Sequence, residues 1–344
     1  MAQIFKNVLI CGGSGFIGSN FIRYFLNKHL DYKIFNLDLL TYAGNQENLK
    51  DVANNSRYNF IHGDICSSSL LHDVFGKNKF DLVINFAAES HVDRSIVSVA
   101  DFVRTNIEGV RVLLEAVRLH KVSRFVQIST DEIYGDVPYG SFSDEESAMR
   151  PSNPYSSSKA GADLLVQSFM RTHAVPAIIV RGSNNFGPFQ YPEKLIPLVV
   201  TNILENKKIP IHGDGLHARS WLHVNDFCDA IDLVAHNAQD HSIYNVSGEE
   251  RKNIEVIETI ASHLNKEIHV LKDHTKDRPG ADLRYAPISG KLEKDLGWKR
   301  RYFFEKEIGN VVDWYCKNTE WWKKIKEKKE FSDHYEKQSK ADYY

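Results

Sequence analysis

Cysteine is scarce in this chain: four in 344 residues, at positions 11, 66, 228 and 316, with no C-x-x-C among them. That scatter matches neither a metal-ligand nor a redox spacing. The 15 histidines include no H-E-x-x-H, so the zinc-hydrolase signature is missing too. No apolar run approaches the roughly 20 residues a membrane helix needs. An excess of either charge is also lacking. With 43 Lys+Arg against 45 Asp+Glu the net charge is -2, which gives no footprint for nucleic acid or a lipid surface. Met1 to Lys6 run straight into a strand-like Asn7-Val8-Leu9-Ile10, leaving no room for a secretory leader. The expectation is a cytoplasmic, reduced, metal-free protein.

What is present is globular in character, with 42% hydrophobic and 26% charged residues. The length suggests one large or two ordinary domains. Up to about residue 182, short β-rich runs alternate with helical patterns. Val8–Cys11, Lys33–Leu37, Leu82–Phe86, Phe125–Ser129 and Ala177–Val180 read as strands, with a further one before Asp64. Their continuous apolar character fits parallel strands covered on both faces. Helices are expected over Phe16–His29, Asp101–His120 and Ser156–His173, where apolar residues recur at helical spacing. This alternation predicts an α/β fold, a Rossmann-type doubly wound parallel sheet over residues 1–182. Residues 183–325 are richer in Gly- and Pro-containing loops and mix strands with helices. They are expected to form a smaller α/β lobe, with some segments returning to the first domain. The Lys/Glu-rich stretch 326–344 reads as a solvated helix fraying into a tail.

Strand one leads into Gly12-Gly13-Ser14-Gly15-Phe16-Ile17-Gly18, which opens a helix. Glycines there permit a tight turn and let backbone N–H groups approach a pyrophosphate at the positive helix end. Asp38 ends the second strand about 20 residues further on, where a carboxylate holds a ribose diol and repels a 2′-phosphate. NAD is therefore favoured over NADP, with a helix N-cap as the structural alternative for Asp38. Asp64-Ile65 is placed to meet the adenine. Phe86-Ala87-Ala88-Glu89-Ser90 ends the fourth strand on the edge where ligands bind in such sheets.

Ser129-Thr130-Asp131-Glu132 ends the fifth strand on that same edge, and Tyr155-x-x-x-Lys159 follows at the start of a helix. The charge of Lys159, one turn on, together with that of an oxidised nicotinamide, is expected to lower the phenol pKa from its usual value near 10 and make Tyr155 a base for a sugar hydroxyl. Tyr24…Lys28 and Tyr302…Lys306 share the spacing, but only Tyr155 follows a strand-end Ser/Thr. Two adjacent carboxylates supply an acid and a base that plain dehydrogenation has no use for. Oxidation plus an acid and a base suggests elimination of water.

These segments resemble the extended short-chain dehydrogenase/reductase family, and within it the nucleotide-sugar 4,6-dehydratases, over about residues 5 to 320. The matching stretches are Asp38–Asn45, Ala87–Ser95, Ser129–Gly135, Ser183–Pro188, Pro192–Pro197 and Asp277–Gly280. The resemblance implies a hydro-lyase that turns a nucleoside-diphosphate glucose into its 4-keto-6-deoxy product, with dTDP-glucose favoured over UDP-glucose. It implies catalytic roles for Thr130, Asp131, Glu132, Tyr155 and Lys159. For the cofactor it implies Gly12, Gly15, Phe16, Ile17, Gly18, Asp38, Leu39, Leu40, Thr41, Asp64, Ile65, Phe86, Ala87, Ala88, Ser90, Thr105 and Asn185, besides Tyr155 and Lys159. For the substrate it implies Ser90, Thr130, Asn184, Lys194, Leu195, Pro210, Ile211, His212, Arg219 and Arg278. A structural ion pair is the alternative for each arginine. A homodimer paired through the helices Asp101–His120 and Ser156–His173 is implied as well. Two departures fall in the nucleotide lobe: Ala281 stands where the family commonly has histidine, and Tyr244–Arg251 is shorter than usual. The rival readings are a sugar-nucleotide epimerase, which has no use for Asp131 and Glu132, and a non-catalytic NAD-binding sensor, which has none for Thr130, Tyr155 and Lys159.

Overall fold

The computed structural model describes residues 3–267 and 271–340. Seven parallel strands form the main sheet: β1 (Asn7–Cys11), β2 (Lys33–Asp38), β3 (Tyr58–His62), β4 (Leu82–Asn85), β5 (Arg124–Thr130), β6 (Ala177–Gly182) and β10 (Ile243–Val246). Their order is β10-β6-β5-β4-β1-β2-β3, the doubly wound arrangement in which the order reverses between β1 and β4. β1, β4, β5 and β6 are buried throughout or nearly so. That explains the apolar runs of β1, β4 and β6, since neither face meets water; in β5 the run is broken by a buried Gln127, whose Oε1 accepts from Asn85 at 3.0 Å.

Two cores flank the sheet. One packs Phe21, Phe25 and Val8 against the helix Val224–Asn237, together with Leu292 and Trp298. The other packs Leu9, Phe75, Leu113 and Val166. Chain segments beyond residue 182 thus complete the first domain, β10 as its edge strand and Val224–Asn237 as a covering helix. A third core, around Phe186, Ile257, Phe304 and Trp322, belongs to the second lobe. That lobe carries β7 (Asn184–Phe186), β9 (Ala218–His223) and β11 (Glu249–Lys252) in one small sheet. β8 (Ile209–His212) pairs with β12 (Lys272–Thr275) in another.

Two local features position the site. The helix Pro154–His173 starts in a capping box, in which Asn153 Oδ1 accepts from the Ser156 amide and Ser156 Oγ accepts from that of Asn153, with Pro154 in the first turn. Tyr155 is fixed by that start. The second feature is a π-helical segment, Val103–Glu108, inside the helical stretch 99–119. Its Asn106 is buried and bonds both the N–H and the C=O of Glu89 (2.9 and 3.0 Å) as well as Ser158 Oγ (2.8 Å). π-segments often mark functional sites, and this one ties the end of β4 to the helix carrying Tyr155.

The C-terminal stretch departs from expectation. Lys329–Lys340 forms a helix with Phe331, His334 and Gln338 buried. These three recur at helical spacing and face the protein, so the stretch docks instead of fraying. Residues 341–344 of the expected tail lie outside the described residues.

Candidate active site

The loop after β1 leaves a cradle by omitting side chains. Gly12 has φ +75°, and a Cβ there would sit 2.5 Å from the Ala87 nitrogen. A Cβ on Gly18 would meet the Gly12 oxygen at 2.4 Å. Backbone and ligand can approach only because no methyl intervenes. Asp38 closes the far side: its carboxylate accepts from the Ser14 and Leu40 amides, both at 2.8 Å. Burial raises its pKa, against the pull of those two donors. Gly12, Gly15, Phe16, Ile17, Gly18, Asp38, Leu39, Thr41, Asp64, Ile65, Phe86, Ala87, Ala88, Ser90 and Thr105 all line this one cavity. Leu40 does not. With φ +57° it turns its amide toward Asp38 and its side chain away. At the rim Asp64 pairs with Arg104.

The cradle opens into a second cavity with which it shares Phe16, Ile17, Phe86, Ala88, Ser90, Ile128, Gln190, Glu193 and Lys194. Tyr155, Lys159 and Asn185 line the second cavity, as do Thr130, Asp131 and Glu132. Asn184, Lys194, Leu195, Pro210, His212, Arg219 and Arg278 line it too. Ile211 does not; it is 2% exposed and packs in the lobe core. Side chains alternate along β8, so Pro210 and His212 face the cavity while Ile209 and Ile211 face inward.

Thr130 ends β5 and caps the short turn Asp131–Tyr134, its hydroxyl accepting from the Glu132 amide at 3.3 Å and donating to Asp131 Oδ1 at 3.3 Å. Asp131 is 2% exposed and its Oδ2 has no hydrogen-bond partner among the described residues. Burial, then repulsion from Glu132, pushes its pKa up to about 8. It therefore holds its proton at neutral pH. Burial also raises Glu132, but the charges of Arg219, Lys194 and Arg278 pull against it. One cavity thus holds an acid and a candidate base side by side.

The surroundings that this chain itself supplies shift Tyr155 upward. Burial, followed by the Glu132 charge, raises its pKa, and the Thr130 hydroxyl only partly offsets this. Lys159 donates to the Ile128 carbonyl at 2.7 Å, and its pKa is lowered to about 8 by burial. The lysine does not by itself make the phenol acidic. An oxidised nicotinamide bound in the shared cavity would add the second positive charge on which the expected lowering of the Tyr155 pKa depends.

Arg219 is held by carbonyls and by stacking. It donates to Ala218 O and Asp282 O (both 2.8 Å) and lies 4.3 Å from the centre of the Tyr285 ring. That leaves its charge directed at the cavity. Arg278 pairs with Asp93 at 3.4 Å, so for this residue the structural ion pair and the cavity position coexist. Sequence reasoning missed Asp282 and Tyr285. The Tyr285 hydroxyl lies 2.7 Å from Asp282 Oδ2 and 3.4 Å from Glu132 Oε2, a contact across 153 residues that no local pattern reveals. It also missed Gln338, which lines the cavity from the C-terminal helix. Nor did it group His91, Glu193 and His334, whose potential ligand atoms lie within 4.8 Å of one another. Glu193 already faces the Arg94 guanidinium at 3.0 Å.

A dinucleotide cradle, a Tyr-Lys pair and an adjacent acid and base, gathered at one sheet edge, define an NAD-dependent dehydrogenase site with added elimination chemistry. Residues 9–311 match the model of the GDP-mannose 4,6 dehydratase family, and the chain belongs to that family. A dTDP-glucose 4,6-dehydratase from Streptomyces niveus is 43% identical over 324 residues, covering 93% of this chain and 95% of the relative. The solved structure of the Streptomyces venezuelae dTDP-glucose 4,6-dehydratase with NAD bound has a TM-score of 0.90 at 40% identity, covering 93% of this chain and 99% of that one. The Bacillus anthracis dTDP-glucose 4,6-dehydratase in complex with NAD has a TM-score of 0.87 at 43% identity, covering 93% and 99%.

Proposed function

We propose that this protein is an NAD-dependent lyase that dehydrates dTDP-glucose to its 4-keto-6-deoxy sugar nucleotide. The observation that carries this reading is the placement of two adjacent carboxyl groups, Asp131 and Glu132, inside the cavity that also holds Tyr155 and Lys159.

NAD, when bound, accepts hydride from C4 of the glucose and returns it at C6. The residues of this chain move the protons. Thr130 holds the C4 oxygen, and Tyr155 takes the C4 hydroxyl proton, with Lys159 stabilising the phenolate. The 4-keto group then acidifies the C5 hydrogen, which Glu132 removes as Asp131 protonates the C6 hydroxyl and water leaves. A proton returned to C5 completes the product. Glu132 ends in its starting state, whereas Asp131 has lost a proton and Tyr155 has gained one; passing that proton from the phenol to Asp131, through solvent, resets both for the next turnover. The second lobe takes the nucleotide: Asn184, Lys194, Leu195, Pro210, His212 and Arg219 surround its diphosphate and base, and Arg278 adds charge. Asn185 lies beside the cofactor.

A homodimer through the helical stretch 99–119 and Pro154–His173 belongs to the same proposal. It is supported by Val99, Val103 and Leu164, 46–56% exposed apolar side chains on those helices. Cytoplasmic residence is proposed because both NAD and a nucleotide sugar are intracellular metabolites. None of the described helices is long and apolar enough to cross a membrane.

The test is to supply dTDP-glucose and UDP-glucose separately, each with deuterium at C4. The expected product is a 4-keto-6-deoxy sugar with deuterium at C6, formed from the thymidine substrate without consuming added NAD. A C4 epimer, or no turnover of either, overturns the reading.

A further inference from the structure

We propose that the C-terminal helix Lys329–Lys340 is part of the substrate site, and that Gln338 is a positioning residue that sets how Arg278 and Lys194 face the cavity. This inference rests on the lyase reading above.

Gln338 is 5% exposed, and its side chain forms part of the cavity wall. Its amide donates to Asp93 Oδ2 and to the Glu193 carbonyl, both at 3.1 Å. Each acceptor adjoins a cation of the cavity. Asp93 has no exposed surface, and its other oxygen, Oδ1, pairs with Arg278 at 3.4 Å. Glu193 precedes Lys194, whose Nζ donates to the Ser90 carbonyl at 2.7 Å. Arg278 and Lys194 are also two of the charges that act on Glu132. A neutral donor on one oxygen of Asp93 keeps the arginine from closing onto both. A bidentate pair is the stronger arrangement for Arg and carboxylate, so without the amide the guanidinium would be drawn inward.

The helix is held where this requires. Arg94 bridges it to the body, pairing with Glu193 and with Glu330, each at 3.0 Å, and lying 3.8 Å from the centre of the Tyr42 ring. Phe331 is 2% exposed and packs beside Tyr191.

The experiment compares full-length wild type, Gln338→Leu, Gln338→Glu and, on the exposed side of the helix, Glu336→Gln, all with NAD bound. Gln338→Leu should raise KM for dTDP-glucose about tenfold, the scale of one lost hydrogen bond to a charged group. kcat, NAD content and Tm should stay near wild type. Gln338→Glu, which sets a carboxyl group against Asp93, should raise KM further, and Glu336→Gln should leave it unchanged. A crystal structure of Gln338→Leu should show Arg278 closed onto both oxygens of Asp93. An unchanged KM in both Gln338 variants, or a KM rise that merely follows lost NAD or lowered Tm, overturns the proposal. If wild type turns over neither sugar nucleotide, the lyase reading fails. The position of Arg278 in the variant then decides this one, and an unmoved Arg278 overturns it.

Discussion

Two of the three tyrosine–lysine pairs with the same spacing do different things in this molecule. Lys28 Nζ lies 2.6 Å from the Tyr24 hydroxyl and 2.7 Å from Asp232, with its side chain 46% exposed. Burial works against the Lys28 charge, but Asp232 and the phenol more than compensate, and its pKa rises. Lys159 is buried, bonds a carbonyl, and has its pKa lowered to about 8. The first pair clamps the helix Phe16–Lys28 to the helix Val224–Asn237. The second stands in a cavity beside an acid and a base. A motif names the parts; their surroundings decide whether they hold two helices together or face a cavity.

The contrast is broken most directly by removing each phenol. Tyr155→Phe should lower kcat by about a thousandfold, within the range for loss of a positioned proton acceptor, as steady-state turnover of dTDP-glucose would show. Glu132→Gln comes next, with a loss of about a hundredfold in product formation. Its bound NAD should still be reduced by substrate, visible as absorbance of the reduced nicotinamide. Normal turnover in that variant refutes the base assignment. The pH profile sharpens the comparison more gently. Asp131 must be protonated to act as acid, so kcat should fall about tenfold per unit as pH rises beyond 8.

The same carboxyl costs stability. Its pKa is 3.8 when unperturbed and about 8 in the fold, so the folded state binds the extra proton between those values and stability declines as pH rises through that window. Asp131→Asn should therefore raise Tm by roughly 2 °C or more, with a larger gain at pH 8 than at pH 5 in calorimetric scans. Smallest of all, Tyr24→Phe should leave activity unchanged and cost about 1 kcal/mol in denaturant titrations. A large activity loss there would erase the distinction between the pairs.

Much of this was legible in the sequence because local chemistry dictated it. The glycine turn, Asp38, the strand-end Thr130 and the capped start of Tyr155's helix are each fixed by residues close in the chain. Period-two alternation could have moved Ile211 from the cavity to the core. Leu40 was harder, since its left-handed backbone follows from serving the Asp38 carboxylate. The C-terminal helix was misjudged because its charged composition hid a buried stripe in which two of the three members, His334 and Gln338, are polar. Asp282 and Tyr285 reach Glu132 only through the fold. The burial of the Tyr155 hydroxyl, the largest influence on its pKa, likewise comes only from the fold.

Asn106 has a mechanical consequence. By gripping both backbone groups of Glu89 and the hydroxyl of Ser158, it joins the strand edge under the cofactor to the helix carrying the phenol. The two walls of the cavity are thus set against each other by one buried side chain. Because all of its bonds lie within the first domain, this brace does not depend on how the second lobe packs.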